Sequence, residues 1–217
     1  MSMHFGTVIF DCDSTLSALE GVDELGRLVG ADIRQLTSLA MSGAVPLEVV
    51  YGRRLEEIRP TRRAVEILGV RYIAALVPGA EEVVRRLTDA GVVVQILSGG
   101  LAPAVKMLAH RIGVPDSRAA AVDITFDERG DYLGFDSGSP LARSGGKRRW
   151  LETVGKELPA PRLMVGDGIT DLEVRPAVDA FAAFTGVVTR PEVVKHADVV
   201  IAGPSLLDLL PFCGLEG

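Results

Sequence analysis

One short apolar run rich in β-formers, Phe5 to Phe10 (FGTVIF), stands alone near the front of the chain, and no strand pattern follows it between Leu16 and Leu76. After Pro78-Gly79 the pattern changes: strand-like and helix-like segments alternate to the end. Parallel strands need a crossover between them, usually a helix, so this alternation predicts a parallel sheet covered by helices on both faces. The expected fold class is therefore α/β, a doubly wound, Rossmann-like parallel sheet. The strand-free stretch reads as an inserted helical cap. The expected division is 1–15 and 77–217 for the core and 16–76 for the cap.

Helical patterns cover Glu20 to Val29, Asp32 to Met41, Pro46 to Ile58, Thr61 to Leu68 and Val70 to Leu76, with Pro60 and Gly69 as punctuation. In the second part, helices are expected at Ala80 to Ala90, Leu101 to Ile112, Lys147 to Glu157, Asp171 to Val174, Pro191 to His196 and Ser205 to Leu210. Strands are expected at Val92 to Leu97, Ala121 to Phe126, Arg162 to Val165, Ala180 to Phe184 and Val199 to Ile201. Tyr132 to Phe135 pairs back on Ala121 to Phe126 as a hairpin.

Composition narrows the function. A hydrophobic share of 47% over 217 residues supplies a sizeable core, and the few aromatics favour helix-on-sheet packing. The formal net charge is −6, and the short runs Arg62-Arg63, Arg85-Arg86 and Lys147-Arg148-Arg149 read as solvated helix faces, so no nucleic-acid partner is expected. Cys12 and Cys213 do not make a disulfide framework, and His4, His110 and His196 lack metal-ligand spacing. No signal peptide and no membrane-length apolar run are visible. A soluble cytoplasmic protein, monomer or homodimer, without a membrane partner is the expectation.

The unusual residues cluster at strand ends. Asp11 and Asp13 follow the first strand, Ser98-Gly99-Gly100 follows VVVQIL, and Gly166-Asp167-Gly168-Ile169-Thr170-Asp171 follows RLMV. Lys147, preceded by Ser144-Gly145-Gly146, opens a helix. In a doubly wound sheet these points converge on one crevice at the C-terminal edge. Asp11, Asp13 and Asp167 brought together repel one another, and a hard cation such as Mg²⁺ makes them tolerable. Lys147, the Ser98 hydroxyl and the bare N–H groups of Gly99 and Gly100 suit a phosphate dianion. A carboxylate at Asp11 can attack phosphorus, and Asp13, two residues on, can move the protons.

DCDST at 11–15, LSGG at 97–100, Lys147 and GDGITD at 166–171 resemble the four motifs of the haloacid dehalogenase superfamily. The longer stretches DCDSTLSALEGVDELG at 11–26, MSGAVPLEVVYGRRL at 41–55, RSGGK at 143–147 and GDGITDLE at 166–173 resemble its phosphoserine phosphatase branch. That resemblance implies Asp11 as nucleophile and Mg²⁺ ligand, and Asp13 as general acid/base with its backbone carbonyl on the metal. It implies Asp167 as third metal ligand and Asp171 as a supporting carboxylate near Lys147. Ser98 and Lys147 clamp phosphate, and Thr170, Met41 and Ser42 fall at positions that touch substrate. Glu20 and Arg54 match the residues that read the ammonium and carboxylate of phosphoserine; Arg holds a carboxylate bidentately.

Two positions depart from the branch: Ser42 stands where a glycine is usual and Leu47 where an aromatic residue is usual. The implied reaction is Mg²⁺-dependent hydrolysis of O-phospho-L-serine through an aspartyl-phosphate. Its rivals are another small phosphomonoester, transfer of the phosphoryl group to an alcohol, or a non-catalytic phospho-ligand binder. The intact set Asp11, Asp13, Lys147 and Asp167 argues against the last.

Overall fold

The computed structural model describes residues 4–33, 35–36 and 45–216. Most of the helix expected from Asp32 to Met41, and the substrate residues Met41 and Ser42, lie outside them. Six parallel strands form the main sheet in the order β3-β2-β1-β6-β7-β8, with helices flanking it. The strands are β1 (Thr7–Phe10), β2 (Val93–Leu101), β3 (Ala119–Val122), β6 (Arg162–Gly166), β7 (Ala180–Phe184) and β8 (Val199–Ile201). β1 and β7 are buried along their whole length, as strands covered on both faces must be.

β1 lies in the middle. Thr7 is in register with Val93 of β2 on one side and Arg162 of β6 on the other. The strand order reverses at this point, which opens a crevice beyond the strand ends. Asp11 follows β1 directly and Asp167 follows β6 directly, so two motifs distant in sequence become neighbours at one sheet edge.

Between β1 and the rest lie α1 (Gly21–Val29), α2 (Leu47–Ile58) and α3 (Arg62–Ala74). The later helices are α4 (Ala80–Asp89), α5 (Ala102–Arg111), α6 (Gly146–Thr153), α7 (Ile169–Leu172) and α8 (Pro191–Lys195). Buried Glu24 of α1 pairs with Arg71 of α3 and with Arg27, joining the first and third helices. Among the described residues no helix is long and apolar enough to cross a membrane.

Four expectations need correction. β2 does not end at Leu97 but runs through Ser98-Gly99-Gly100 to Leu101, with a register shift against β3 between Leu97 and Leu101. Glycines in a strand favour such an irregularity. The segment expected as one strand, Ala121 to Phe126, divides at Asp123: β3 joins the main sheet, while β4 (Ile124–Phe126) pairs antiparallel with β5 (Tyr132–Phe135). The Asp123 carbonyl accepts from Asp136 N–H at 2.8 Å, which closes the base of the hairpin. The helix expected from Lys147 to Glu157 stops at Thr153, and a 3₁₀ turn, Gly155–Glu157, follows.

Gly69, finally, does not break a helix: α3 runs through it, capped at its start by Thr61, whose hydroxyl accepts from Ala64 N–H at 3.2 Å. A Cβ on Gly69 would sit 2.5 Å from Met107 Sδ of α5. The glycine serves close approach of two helices. Gly69→Ala sets displacement of the flexible Met107 side chain against the higher helix propensity of Ala, and is expected to change stability by no more than about 1 kcal/mol. With Met107→Ala also present the Sδ and Cε contacts are gone and the Cβ contact at 3.1 Å remains, so Gly69→Ala should be more favourable there than in wild type, by up to ~1 kcal/mol. Urea unfolding of both backgrounds checks the difference.

Candidate active site

The site begins where β1 ends. Asp11 N–H donates to the Val165 carbonyl at 2.9 Å, which ties the residue to β6. Its Oδ1 accepts from Cys12 N–H at 2.7 Å and pairs with Lys147 Nζ at 2.6 Å. Lys147 is buried and bridges to Asp171 Oδ1, also at 2.6 Å. The glycines around it have a steric purpose. A Cβ on Gly146 would lie 1.7 Å from the Pro140 carbonyl oxygen, so only glycine lets the start of α6 press close enough to bring Lys147 in. A Cβ on Gly166 would lie 2.3 Å from Asp171 Cγ, so that glycine makes room for the supporting carboxylate beneath β6.

Asp167 is buried and accepts from Thr15 Oγ1 at 3.1 Å. Arg190 pairs with its carboxylate and donates to its carbonyl at 3.3 Å. One oxygen from each of Asp11, Asp167 and Asp171 falls within 4.8 Å of the others, an arrangement that could hold a metal ion. The donor set fits a hard cation: all three are buried carboxylates.

The Asp13 carboxylate is not part of that triplet. It accepts from the Tyr72 hydroxyl and from Gly21 N–H at 3.1 Å. Burial, reinforced by nearby Glu20, pushes its pKa up to about 6, although the two hydrogen bonds oppose the rise. Burial and then repulsion from Asp171 also raise Asp11, with Lys147 pulling the other way. Burial disfavours the Lys147 ammonium, but Asp11 and Asp171 more than reverse this and hold it above the ordinary lysine value.

These groups border a cavity of about 290 Å³, of a size for a small molecule. Asp11, Asp13, Ser98, Gly99, Lys147 and Thr170 line it. Glu20, Leu47, Tyr51 and Arg54 line it as well. Ser98 Oγ accepts from Gly100 N–H at 2.9 Å, which leaves its own proton available for a ligand oxygen. Gly100 itself does not line the cavity. Glu20 accepts from Ser14 Oγ at 2.8 Å and lies 3.6 Å from Arg190 Nη2. Arg54 Nη2 pairs with Asp23 Oδ1 at 2.6 Å.

Sequence reasoning missed Arg190, Tyr72, Tyr51 and Asp23. Arg190 had a readable signal, since it precedes a helix just after the β7 edge, where this fold gathers its site. Tyr72 sits in the last turn of α3 and Tyr51 in the second turn of α2. No local pattern separates either from an ordinary core aromatic.

A family model described as haloacid dehalogenase-like hydrolase matches residues 5–178. The phosphoserine phosphatase of Bos taurus is 37% identical over 194 residues, 88% of this chain and 86% of its own length. That of Homo sapiens is 37% identical over 193 residues, with the same shares. Among solved structures, a phospho-aspartyl intermediate analogue of phosphoserine phosphatase superposes with a TM-score of 0.80 at 26% identity, covering 100% of both chains. A substrate-bound phosphoserine phosphatase complex gives 0.81 at 26%, covering 97% of this chain and 98% of that one. The family-model match over residues 5–178 and 37% identity over 88% of the chain place this chain among the haloacid dehalogenase-like hydrolases, in their phosphoserine phosphatase family.

Proposed function

We propose that the protein hydrolyses O-phospho-L-serine to L-serine and phosphate through an aspartyl-phosphate on Asp11. The observation that carries this reading is one small cavity lined by Asp11, Ser98 and Lys147 and also by an acid, Glu20, and a base, Arg54. The first set suits a phosphate; the second suits an ammonium and a carboxylate. The relatives named phosphoserine phosphatase support the same substrate.

In the first step an Asp11 oxygen attacks phosphorus and the bond to the serine oxygen breaks. Asp13 gives its proton to that departing oxygen. A carboxyl raised to about 6 carries a proton in a useful fraction of molecules near neutral pH. In the second step Asp13 takes a proton from water as the water oxygen attacks phosphorus. The bond to Asp11 then breaks, releasing phosphate and restoring the carboxylate. Ser98 and Lys147 hold the phosphoryl oxygens through both steps, and Lys147 offsets their charge. Mg²⁺ would be held by Asp11, Asp167 and the Asp13 carbonyl, with Asp171 in support, and would supply charge neutralisation to the phosphoryl group.

Residues 16–76 act as a cap over the core 1–15 and 77–217. Tyr51 donates to the Gly99 carbonyl at 2.8 Å, and Leu47 N–H donates to Ser144 Oγ at 3.2 Å, so α2 is fastened across the phosphate end at two points. Leu47, Tyr51 and Arg54 recur at helical spacing and form the face of α2 that lines the cavity.

Phosphate release from a panel of phosphomonoesters at fixed Mg²⁺ tests the substrate. Arg54→Ala should lower kcat/KM for phosphoserine by roughly two to three powers of ten, the cost of stripping one partner from a buried charge pair. Phosphoethanolamine has no carboxylate, and its rate should barely change. Glu20→Gln should instead harm substrates with an ammonium group. Equal wild-type rates on phosphoserine and carboxylate-free esters would reject this substrate and leave the chemistry at Asp11 standing.

A further inference from the structure

We propose that Asp23 is a positioning residue for the substrate carboxylate: it holds the Arg54 guanidinium in the orientation that grips that group. The proposal rests on the reading of Arg54 given above. Arg54 reaches the cavity from α2, and its side chain is only 12% exposed. Asp23 lies in the first turn of α1, with its side chain 25% exposed, and meets Arg54 Nη2 at 2.6 Å. A carboxylate in that turn is placed favourably with respect to the helix dipole.

The pair does not use up the guanidinium. Arg54 Nε is buried and has no hydrogen-bond partner among the described residues. A guanidinium has five N–H donors in a rigid plane. Asp23 engages one nitrogen, and the plane is thereby turned to one orientation, with donors left over for a further acceptor. A long arginine side chain without such an anchor samples many rotamers, and few of them present a bidentate edge to a ligand.

Placement on α1 gives the contact a second consequence. Glu20, the acid assigned to the ammonium group, caps the start of the same helix, three residues before Asp23. One helical turn therefore carries both the receptor for the ammonium and the anchor of the receptor for the carboxylate. The distance between the two receptors is then set by helix geometry. The ligand class this selects bears the two charges on one carbon, as an α-amino acid does. The opposite role, in which Asp23 occupies the place of the substrate carboxylate and is displaced by it, predicts the reverse kinetics.

The test is steady-state kinetics of wild type, Asp23→Ala, Asp23→Glu, Arg54→Ala and the double variant Asp23→Ala/Arg54→Ala on phosphoserine and phosphoethanolamine. Asp23→Ala should raise KM for phosphoserine about tenfold or more, as expected for a misplaced binding group, with kcat changed far less. Its kinetics on phosphoethanolamine and its thermal midpoint should stay near wild type. Asp23→Glu, which keeps the charge, should recover part of the loss. In the Arg54→Ala background, Asp23→Ala should do nothing further, because the anchor then has nothing to hold. A lower KM in Asp23→Ala, an equal loss on both substrates, or additive losses in the double variant would overturn the proposal. If Arg54→Ala fails to separate the two substrates, the reading of Arg54 falls, and the role of Asp23 falls with it.

Discussion

Asp11→Asn is expected to abolish turnover and leave a folded protein. An amide cannot attack phosphorus, and the loss of a nucleophile removes several powers of ten in rate. The change is nearly isosteric, and Lys147 keeps its bond to Asp171 at 2.6 Å, so the buried pair beneath the site is not stranded. The substitution also removes a buried carboxyl group that burial and the neighbouring Asp171 disfavour in its charged form. Circular dichroism should therefore match wild type. Fluoroberyllate with Mg²⁺, a mimic of the acyl phosphate, should bind wild type and not the variant. Retention of more than about a hundredth of the wild-type kcat would sink the covalent mechanism.

Asp13→Asn is expected to slow phosphoserine hydrolysis by roughly two to four powers of ten, the usual range for a general acid–base group. Both half-reactions move a proton through this residue, but they do not need it equally for every substrate. The leaving group of p-nitrophenyl phosphate departs without protonation, so the first step survives and the second, which needs a base, stalls. A burst of nitrophenol close to one per active site, followed by slow turnover, should appear in rapid-quench experiments. The sign with pH follows from the same role. Asp13 must be protonated in the first step, so its titration gives kcat/KM for phosphoserine an alkaline fall that p-nitrophenyl phosphate lacks. Without a burst, the proton transfers belong to some other group. The Tyr72 hydroxyl and Gly21 N–H that hold the Asp13 carboxylate would then be structural contacts alone.

Much of the catalytic half could be read from short stretches of sequence. FGTVIF before Asp11 and RLMV before Asp167 are strands because runs of β-branched and apolar residues, stopped by turn formers, suit a buried parallel strand. A carboxylate just past such a strand lies at the sheet edge whatever surrounds it. Gly69 shows where the same local reasoning fails. Its sequence signature is that of a helix breaker, yet α3 continues through it, and the glycine lies against Met107, a residue on another helix. Asp123 is a second case. Nothing nearby announces that the residues before it join one sheet and those after it another, because the choice is made by pairing partners, Ile96 and Leu97 for β3 and Tyr132 to Phe135 for β4.

The sequence alone determined the chemistry: which side chains carry negative charge, which can clamp a phosphate, and which glycines free the backbone beside them. These follow from residue type and from periods of two and 3.6, which act over a few residues. Tertiary structure decided how those groups are held. Tyr72 reaches Asp13 across 59 positions of chain and Arg54 reaches Asp23 across 31. Arg190 meets Asp167 because β6 and β7 are neighbours in the sheet. Each of these contacts depends on how helices cross and strands order themselves, a sum of packing interactions over the whole core that no short stretch of sequence contains.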